Sequence, residues 1–365
     1  MIVQPNDTII ADAIGLLQGL IRIPSFSKEE DQTAALLEQF FHDAKIPVKR
    51  FLNNIWAVNQ YFDPAKPTLL LNSHHDTVKP NKGYTLDPFN PIVQDGKLYG
   101  LGSNDAGGSL VSLIAVFRHY YDRPDLAYNL LLAATAEEEI SGKNGIEILL
   151  KELPDIDCGI VGEPTQMQMA VAERGLLVLD VHVEGRAGHA AREEGENALY
   201  KALDDIQWFR NHQFAKVSPL LGPVKMTVTV VETDNKAHNV VPAQCKFVVD
   251  VRVNECYRFE EIIEEIQAHI KGQATPRSLR MRSTSIPETH PLIVAGKLLG
   301  RTTYGSPTTS DKALMPFVTL KMGPGDSARS HTADEYIYLK EIEEGIALYI
   351  ALLNQVLHPE KTNRS

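Results

Sequence analysis

Apolar residues recur at helical spacing near the beginning of the chain. They do so over 9–17 and again over 36–41, which predicts two amphipathic helices. Ser27 and Glu30 have the spacing of a capping box, in which two side chains bond the backbone of the first helical turn. We therefore expect Ser27 and Glu30 to open the second helix.

Short apolar runs follow at 69–71, 130–134 and 159–161, and each has the length of a buried strand. Polar residues and then a helical stretch come after each run. Strands that alternate with helices predict an α/β domain with a largely parallel sheet covered on both faces. The functional residues of such sheets lie beyond the carboxyl ends of the strands, where this sequence reads SHHD, TAEEE and GEPT.

The pattern changes in the middle of the chain. Residues 176–183, 225–231 and 246–253 alternate between apolar and polar with period two, as the strands of a half-exposed antiparallel sheet do. Helical patterns accompany them at 197–209 and 259–270. These segments predict an α+β unit that has its own core.

The first pattern then returns, with a helix at 291–299 and a long amphipathic closing helix at Leu339–Leu357. The sequence therefore predicts one α/β domain in two parts, 1–173 and 283–365. An α+β domain is inserted between them at 174–282.

Composition narrows the class of protein. Apolar residues make up 43% and charged residues 23%, as in an ordinary globular protein, and no apolar run approaches the roughly 20 residues that a bilayer requires. The first cation is Arg22, so the start lacks the basic residues of a secretory signal, and we expect a cytoplasmic location. The 36 basic and 47 acidic residues give a net charge of −11, which argues against nucleic acid or an anionic membrane as partner.

Two of the strand ends carry residues suited to a metal site. His74 and Asp76 form an H-x-D arrangement, in which one imidazole can bind a metal while the carboxylate orients it. Glu138 and Glu139 end the next strand together with Glu137, and adjacent carboxylates repel one another unless a cation compensates. The alternatives are a hydrogen-bonded turn at 74–76 and an exposed acidic turn that opens a helix.

The glycine-rich segment 99–110 offers two interpretations. It resembles a dinucleotide-binding loop, but Asp105 occupies the third glycine position, where a carboxylate would repel a pyrophosphate. A metal-bridging carboxylate fits Asp105 better. Glu163 follows the third strand, and His331 follows a strand near the end of the chain. Two imidazoles and three carboxylates suffice for a site with two zinc ions: His74, Asp105, Glu139, Glu163 and His331.

With these motifs the sequence resembles the co-catalytic di-zinc amidohydrolases and peptidases. That family includes acetylornithine deacetylase, succinyl-diaminopimelate desuccinylase, aminoacylase and carboxypeptidase G. The resemblance covers essentially the whole chain, and its motifs occur in family order: SHHDTV, GSNDAGG, TAEEE, GEPT, AGHAA, NVVPA, DVR and SHTADEY.

The resemblance implies five ligands for two Zn²⁺ ions, with Co²⁺ or Mn²⁺ as substitutes. They are His74 and Glu163 on one ion, Glu139 and His331 on the other, and Asp105 as the bridge. Asp76 would orient His74, and Glu138 would be the general base that takes a proton from the attacking water. The family's triplet usually reads Asp-Glu-Glu, so Glu137 departs from it.

The resemblance also implies roles for the inserted domain, which in the family is a lid and dimerisation module. His189 would stabilise the oxyanion and reach a neighbouring subunit's active site in a homodimer. Asn239 and Arg252 would bind the substrate. From the residues alone, the Arg252 guanidinium can clamp a carboxylate, or it can pair with Asp250 on the same strand.

The expected reaction is hydrolysis of an N-acyl-L-amino acid, a small-molecule substrate. GEPT and the chain length favour a deacylase like acetylornithine deacetylase, in arginine biosynthesis, with an N-acetyl or N-succinyl derivative of ornithine or citrulline as substrate. A succinyl group would require a further cation, for which Arg192, Lys312 and Arg329 are candidates. The alternatives are a succinyl-diaminopimelate desuccinylase, a di- or carboxypeptidase, a non-catalytic binding homologue and, from another class, a nucleotide-binding oxidoreductase.

Overall fold

The computed structural model describes residues 6–192 and 194–358, and these residues form two compact units. The split unit contains the described residues of 1–171, 286–304 and 310–365, and the inserted unit contains those of 172–285 and 305–309. The outer ends of the predicted domains, 1–5 and 359–365, lie outside the described residues. The domain limits 1–173, 174–282 and 283–365 remain a prediction.

Helices and strands alternate in the split unit, whereas longer paired strands dominate the inserted unit. The helices are α1 (Asp7–Ile21), α2 (Asp31–Asp43), α3 (Gly108–Tyr120), α4 (Ile146–Leu149), α5 (Ala198–Asn211), α6 (Phe259–His269), α7 (Pro291–Leu298) and α8 (Leu339–Leu357). The strands are β1 (Lys49–Phe51), β2 (Asn54–Val58), β3 (Thr68–His74), β4 (Ile92–Gln94), β5 (Lys97–Tyr99), β6 (Asn129–Thr135), β7 (Cys158–Val161), β8 (Met169–Glu173), β9 (Gly175–Glu184), β10 (Gly188–His189), β11 (Lys225–Thr233), β12 (Val240–Val241), β13 (Gln244–Val253), β14 (Gln273–Pro276), β15 (Thr284–Ser285), β16 (Thr303–Ser306), β17 (Val318–Lys321) and β18 (Tyr336–Tyr338).

The main sheet places its strands in the order β1-β2-β6-β3-β7-β17-β8. β3 runs parallel to both β6 and β7, and β7 runs parallel to β17. Alternate residues of β3 belong to different core clusters: Leu69 lies with Phe117 of α3, whereas Leu70 lies with Ile146 of α4. Burial on both faces explains the continuous apolar runs, because neither face of these strands meets water. The predicted α/β fold with a largely parallel sheet is confirmed.

The inserted unit contains a four-stranded antiparallel sheet in the order β11-β13-β9-β14. Along β9 every second residue is buried, and the buried ones pack with residues of α5 and α6. One face of this sheet is therefore covered by helices, which explains the period of two. The predicted α+β character of the insertion is confirmed, as is the closing helix Leu339–Leu357.

The predicted capping box is wrong. α2 begins at Asp31, and its cap residue Glu30 makes no capping bond through its side chain. Ser27 and Glu30 instead bind residues far along the chain, as described below. No helix among the described residues combines the length and apolar character needed to cross a membrane.

Candidate active site

The carboxyl ends of three parallel strands meet at one edge of the main sheet. β3 ends at His74, which lies opposite Thr135, the last residue of β6. The helical turn Glu138–Ile140 follows β6, and Glu163 follows β7. Parallel neighbours end on the same side, so side chains that are distant in sequence come together here.

His74 faces three carboxylates. Its Nε2 lies 3.4 Å from Asp105 Oδ1, 3.9 Å from Glu138 Oε2 and 3.9 Å from Glu163 Oε1. One ligand atom from each of His74, Glu138 and Glu163 lies within 4.8 Å of the others. This spacing is suited to a single metal ion.

A second group of the same kind lies beside the first. It consists of His74, Asp105 and Glu139. His331 Nε2 lies 3.0 Å from Glu139 Oε2 and 3.6 Å from Asp105 Oδ2. Asp105 therefore turns one oxygen towards His74 and the other towards His331, which is the arrangement that a bridging carboxylate requires.

The environment of His74 fits a metal ligand. Its Nδ1 donates to the main-chain oxygen of Asp76 at 3.0 Å and lies 3.3 Å from Asp76 Oδ1. With the proton on Nδ1, the lone pair of Nε2 points towards the carboxylates. That Nε2 is buried and has no hydrogen-bond partner among the described residues. A buried, unpaired nitrogen costs free energy, and a metal ion would remove that cost.

Asp76 does more than orient His74. Its carboxylate accepts a hydrogen bond from Ser27 Oγ at 2.6 Å. It also accepts from the backbone N–H groups of Glu138 at 3.0 Å and Glu139 at 3.2 Å. Burial raises the pKa of Asp76, but His74 and these donors outweigh that effect, so its pKa lies below the usual value. The ionised carboxylate of Asp76 thus connects the end of β3 to the turn that follows β6.

The electrostatics of the site favour a cation. Burial raises the pKa of Glu138 well above its usual value despite the opposing effect of His74, and Glu163 raises it further. The hydrogen bond with Glu139 raises the pKa of His331 to about 9. Both shifts have the direction expected where negative charge accumulates in a buried space, and bound cations would relieve that accumulation.

Glu137 is turned away from this cluster. Its φ of 56° places it in the left-handed region, which non-glycine residues rarely adopt. Its carboxylate accepts hydrogen bonds from the backbone and the side chain of Asn144, at 3.3 and 2.8 Å. The triplet is therefore not an exposed acidic turn, and Glu138 and Glu139 are the two members that face His74 and His331.

Four residues of the site had no functional role in the sequence analysis. Ser27 binds Asp76, and Glu30 accepts from the backbone of Glu137 at 3.1 Å. Asn104 and Glu335 connect the loop of Asp105 to the loop of His331. The spacing of Ser27 and Glu30 was a signal, but it also suits a helix cap. Glu335 lies within the SHTADEY motif, and burial and Asp105 raise its pKa to about 8.

The remaining candidate residues lie in the inserted unit. His189 is exposed on β10, and the neighbouring Ala190 donates to the main-chain oxygen of Asn239 at 2.9 Å. Nε and Nη2 of Arg252 donate to the two carboxylate oxygens of Asp250, at 2.8 and 3.0 Å. The structure thus contains the Asp250 pairing that the sequence left open for Arg252.

The three cations considered for a succinyl group differ in their accessibility. Lys312 is fully buried. Arg329 binds Glu341 through Nη2 at 2.6 and 2.9 Å, and its remaining buried nitrogens face no acceptor among the described residues. Arg192 is exposed, 3.8 Å from Glu194. Of the three, only Arg192 has an exposed guanidinium.

A model of the peptidase family M20/M25/M40 matches residues 70–355. The chain belongs to this family. It is a metal-dependent hydrolase of amide bonds, which removes the nucleotide-binding oxidoreductase from consideration.

Curated relatives of this M20 chain are named succinyl-diaminopimelate desuccinylase. The protein of Caulobacter sp. (strain K31) is 25% identical, with 96% of this chain and 97% of the relative covered. That of Stenotrophomonas maltophilia (strain K279a) is 24% identical, with 93% and 97% covered.

Solved structures of this family share the fold. A tripeptidase from Staphylococcus aureus superposes with a TM-score of 0.76 at 19% identity, covering 97% of this chain and 99% of that one. A dinuclear metal binding peptidase from Bacillus subtilis gives 0.73 at 15% identity, with 96% and 99% covered.

Proposed function

We propose that this chain removes the succinyl group from an N-succinyl-amino acid of the diaminopimelate type. The observation that carries the proposal is the pair of overlapping groups around His74, each suited to one metal ion. The names of the relatives favour a succinyl-diaminopimelate substrate over the acetyl or succinyl derivatives of ornithine and citrulline expected from the sequence, and they give no support to a place in arginine biosynthesis.

The donor set suits zinc, which prefers imidazole nitrogen and carboxylate oxygen at four-coordinate sites. We assign His74 and Glu163 to one Zn²⁺ ion, Glu139 and His331 to the other, and Asp105 to both. Bound zinc lowers the pKa of a water ligand and polarises the amide carbonyl. Co²⁺ or Mn²⁺ are the expected substitutes.

The protein residues then have distinct tasks. Glu138 accepts the proton of the attacking water and passes it to the leaving amine. Burial raises the pKa of its carboxyl well above the usual value, which makes it a stronger base than an exposed glutamate. Asp76 holds the backbone of Glu138 and the ring of His74. Glu138 also lies within reach of the first metal position, so a variant of Glu138 can lose either the base or a metal ligand.

His189, Asn239 and Arg252 are proposed to bind the substrate. The exposed imidazole of His189 is suited to an oxyanion. A substrate carboxylate would compete with Asp250 for the planar guanidinium of Arg252.

A homodimer through the inserted unit is proposed from its edge. β11 is an edge strand of its sheet, and its Val230 and Val231 are exposed. On α5, Tyr200 is 67% exposed and Leu203 is 50% exposed. Large exposed apolar residues beside an unpaired strand edge are suited to pairing with a second copy. Sedimentation of wild type and Val231→Lys tests this, and a monomeric wild type would refute it.

The central experiment is metal analysis combined with hydrolysis of a substrate panel. The panel contains acetyl and succinyl derivatives of ornithine, citrulline and diaminopimelate, together with dipeptides. We expect about two zinc ions per chain and the highest kcat/KM for succinyl-diaminopimelate. Preference for a dipeptide would make the chain a peptidase, and preference for acetylornithine would restore the deacetylase. A zinc-loaded protein that hydrolyses nothing in the panel would refute the proposal.

A further inference from the structure

Glu335 is a buried carboxylate that binds three backbone N–H groups and forms no ion pair among the described residues. Its side chain is 2% exposed. Oε1 accepts from the N–H groups of Asn104 at 2.8 Å and Asp105 at 2.9 Å, and Oε2 accepts from that of Gly102 at 3.1 Å. Buried N–H groups require acceptors, and the two oxygens of this single side chain accept from three N–H groups of the loop.

The main chain around Glu335 extends the same connection. Its carbonyl oxygen accepts from the N–H of Gly100 at 2.9 Å. The next residue, Tyr336, begins β18 and pairs with Tyr99 of β5. Glu335 also lies four residues after His331. One residue therefore joins the loop that carries Asp105 to the loop that carries His331.

Asn104 makes a second connection between these loops. Its side chain accepts from the N–H of Asp326 and donates to the main-chain oxygen of the same residue, both at 3.0 Å. The backbone N–H of Asn104 binds Glu335, so the two connections meet directly before Asp105. The position of Asp105 is thus fixed by Glu335 and by the bonds between Asn104 and Asp326.

We propose that Glu335 is a positioning residue for Asp105, acting on metal binding through the backbone. This inference rests on the proposed function, in which Asp105 bridges two metal ions. Asp105 Oδ1 lies 3.4 Å from His74 Nε2, and Asp105 Oδ2 lies 3.6 Å from His331 Nε2. A small rotation of the Asp105 backbone would therefore favour one metal position over the other. Glu335 holds the amide from which that side chain departs.

A carboxylate is needed here because three donors converge on it. Glutamine would keep one acceptor oxygen, but its amide nitrogen would face an N–H group on the other side. Hydrogen bonds to an ionised acceptor are also stronger than those to a neutral one. Glu335→Gln therefore alters the loop with almost no change in volume.

The test is a zinc titration of metal-free protein in competition with a chelator. We expect Glu335→Gln to bind at least one of two zinc equivalents about 10- to 100-fold more weakly than wild type, the usual cost of losing a residue that supports a ligand. The visible spectrum of the Co²⁺-loaded variant should also differ from that of wild type. If Glu335→Gln does not fold, Glu335→Asp, which keeps the charge, is measured instead.

Asp205→Asn is the matched control. Asp205 is 3% exposed and accepts from the backbone N–H groups of Lys271 and Gly272, both at 2.9 Å, in the inserted unit. This variant should lower the Tm and leave zinc affinity and the Co²⁺ spectrum unchanged. Wild-type zinc affinity in Glu335→Gln, or an equal loss in Asp205→Asn, would overturn the inference alone. A wild type that binds no zinc would overturn the proposed function as well.

Discussion

Acidic residues of the candidate active site are partnered differently from those of the inserted unit. In the inserted unit Asp180 binds Arg277, Asp250 binds Arg252 and Glu260 binds Arg282. In the split unit Asp105 and Glu139 form ion pairs only with histidines among the described residues. Fixed cations neutralise the first set, whereas the second set lacks them. Buried carboxylates such as Asp105 and Glu139, which form no ion pair with lysine or arginine among the described residues, distinguish a cation site from an ordinary charged surface.

The largest effect in this comparison is expected from Glu138→Gln, which keeps the shape of the side chain but cannot accept a proton. kcat for the preferred substrate should fall by about 10²- to 10⁴-fold, while both metal equivalents remain bound. Steady-state kinetics and metal analysis check this. Glu260→Gln in the inserted unit is the control and should leave kcat unchanged. Loss of a metal equivalent along with activity would make Glu138 a ligand.

The same variant should have the opposite effect on stability. Without metal, Glu138→Gln is expected to raise the free energy of unfolding by about 1 kcal/mol, a typical size for one residue. Burial raises the pKa of Glu138 above its unfolded value of 4.5, so the folded state binds a proton more readily and loses stability as the pH rises above that unfolded value. Urea unfolding of both metal-free proteins at pH 7 measures the difference. A variant less stable than wild type would show that the charge of Glu138 does not destabilise the metal-free protein.

A smaller effect is expected from Glu260→Gln, which removes a charge that has a partner. The hydrogen bond from Arg282 lowers the pKa of Glu260 to about 2. Its contribution is therefore present above the unfolded pKa and lost as the pH falls towards 2. Because both side chains are largely exposed, we expect a loss below about 1 kcal/mol at neutral pH. Urea unfolding at low and high salt checks this, since salt should reduce the loss.

The smallest effect concerns a titrating group of the split unit that lies outside the candidate site. His290 caps α7, with Nδ1 accepting from the N–H of Leu292 at 3.3 Å, and burial lowers its pKa. Its contribution is present above the unfolded pKa of about 6.5 and is lost as the pH falls below that value.

His290→Asn keeps a cap that does not titrate. The Tm difference between wild type and variant should change by a few degrees at most between pH 7.5 and 5.5, with wild type losing more. Equal pH dependence of the Tm in the two proteins would show that the titration of His290 does not contribute to stability.

The sequence predicted much of the fold because periodicity follows burial. β3 and β6 are covered on both faces and read as apolar runs, whereas β9 is covered on one face and alternates. The positions of His74 at the end of one strand and of Glu163 beyond the end of another could be predicted for the same reason. What could not be predicted are contacts across long separations, such as that of Ser27 with Asp76.

Local spacing was misleading where a tertiary contact was stronger. Ser27 and Glu30 suit a helix cap, but their side chains bind Asp76 and the backbone of Glu137 instead. Glu335 belongs to the SHTADEY motif, but its role could not be predicted, because a glutamate that binds three backbone N–H groups resembles any other glutamate in a sequence. Such residues are recognised only when the loops that they join are known.

The position of β17 has a consequence for synthesis. This strand comes late in the chain, yet it lies inside the main sheet between β7 and β8. Until the ribosome has released residues 318–321, the edge of β7 has no permanent neighbour on that side. A nascent chain with an open, apolar strand edge is prone to pair with other chains. Rapid translation of residues 162–321, or a chaperone that covers β7, should therefore improve the yield of folded protein.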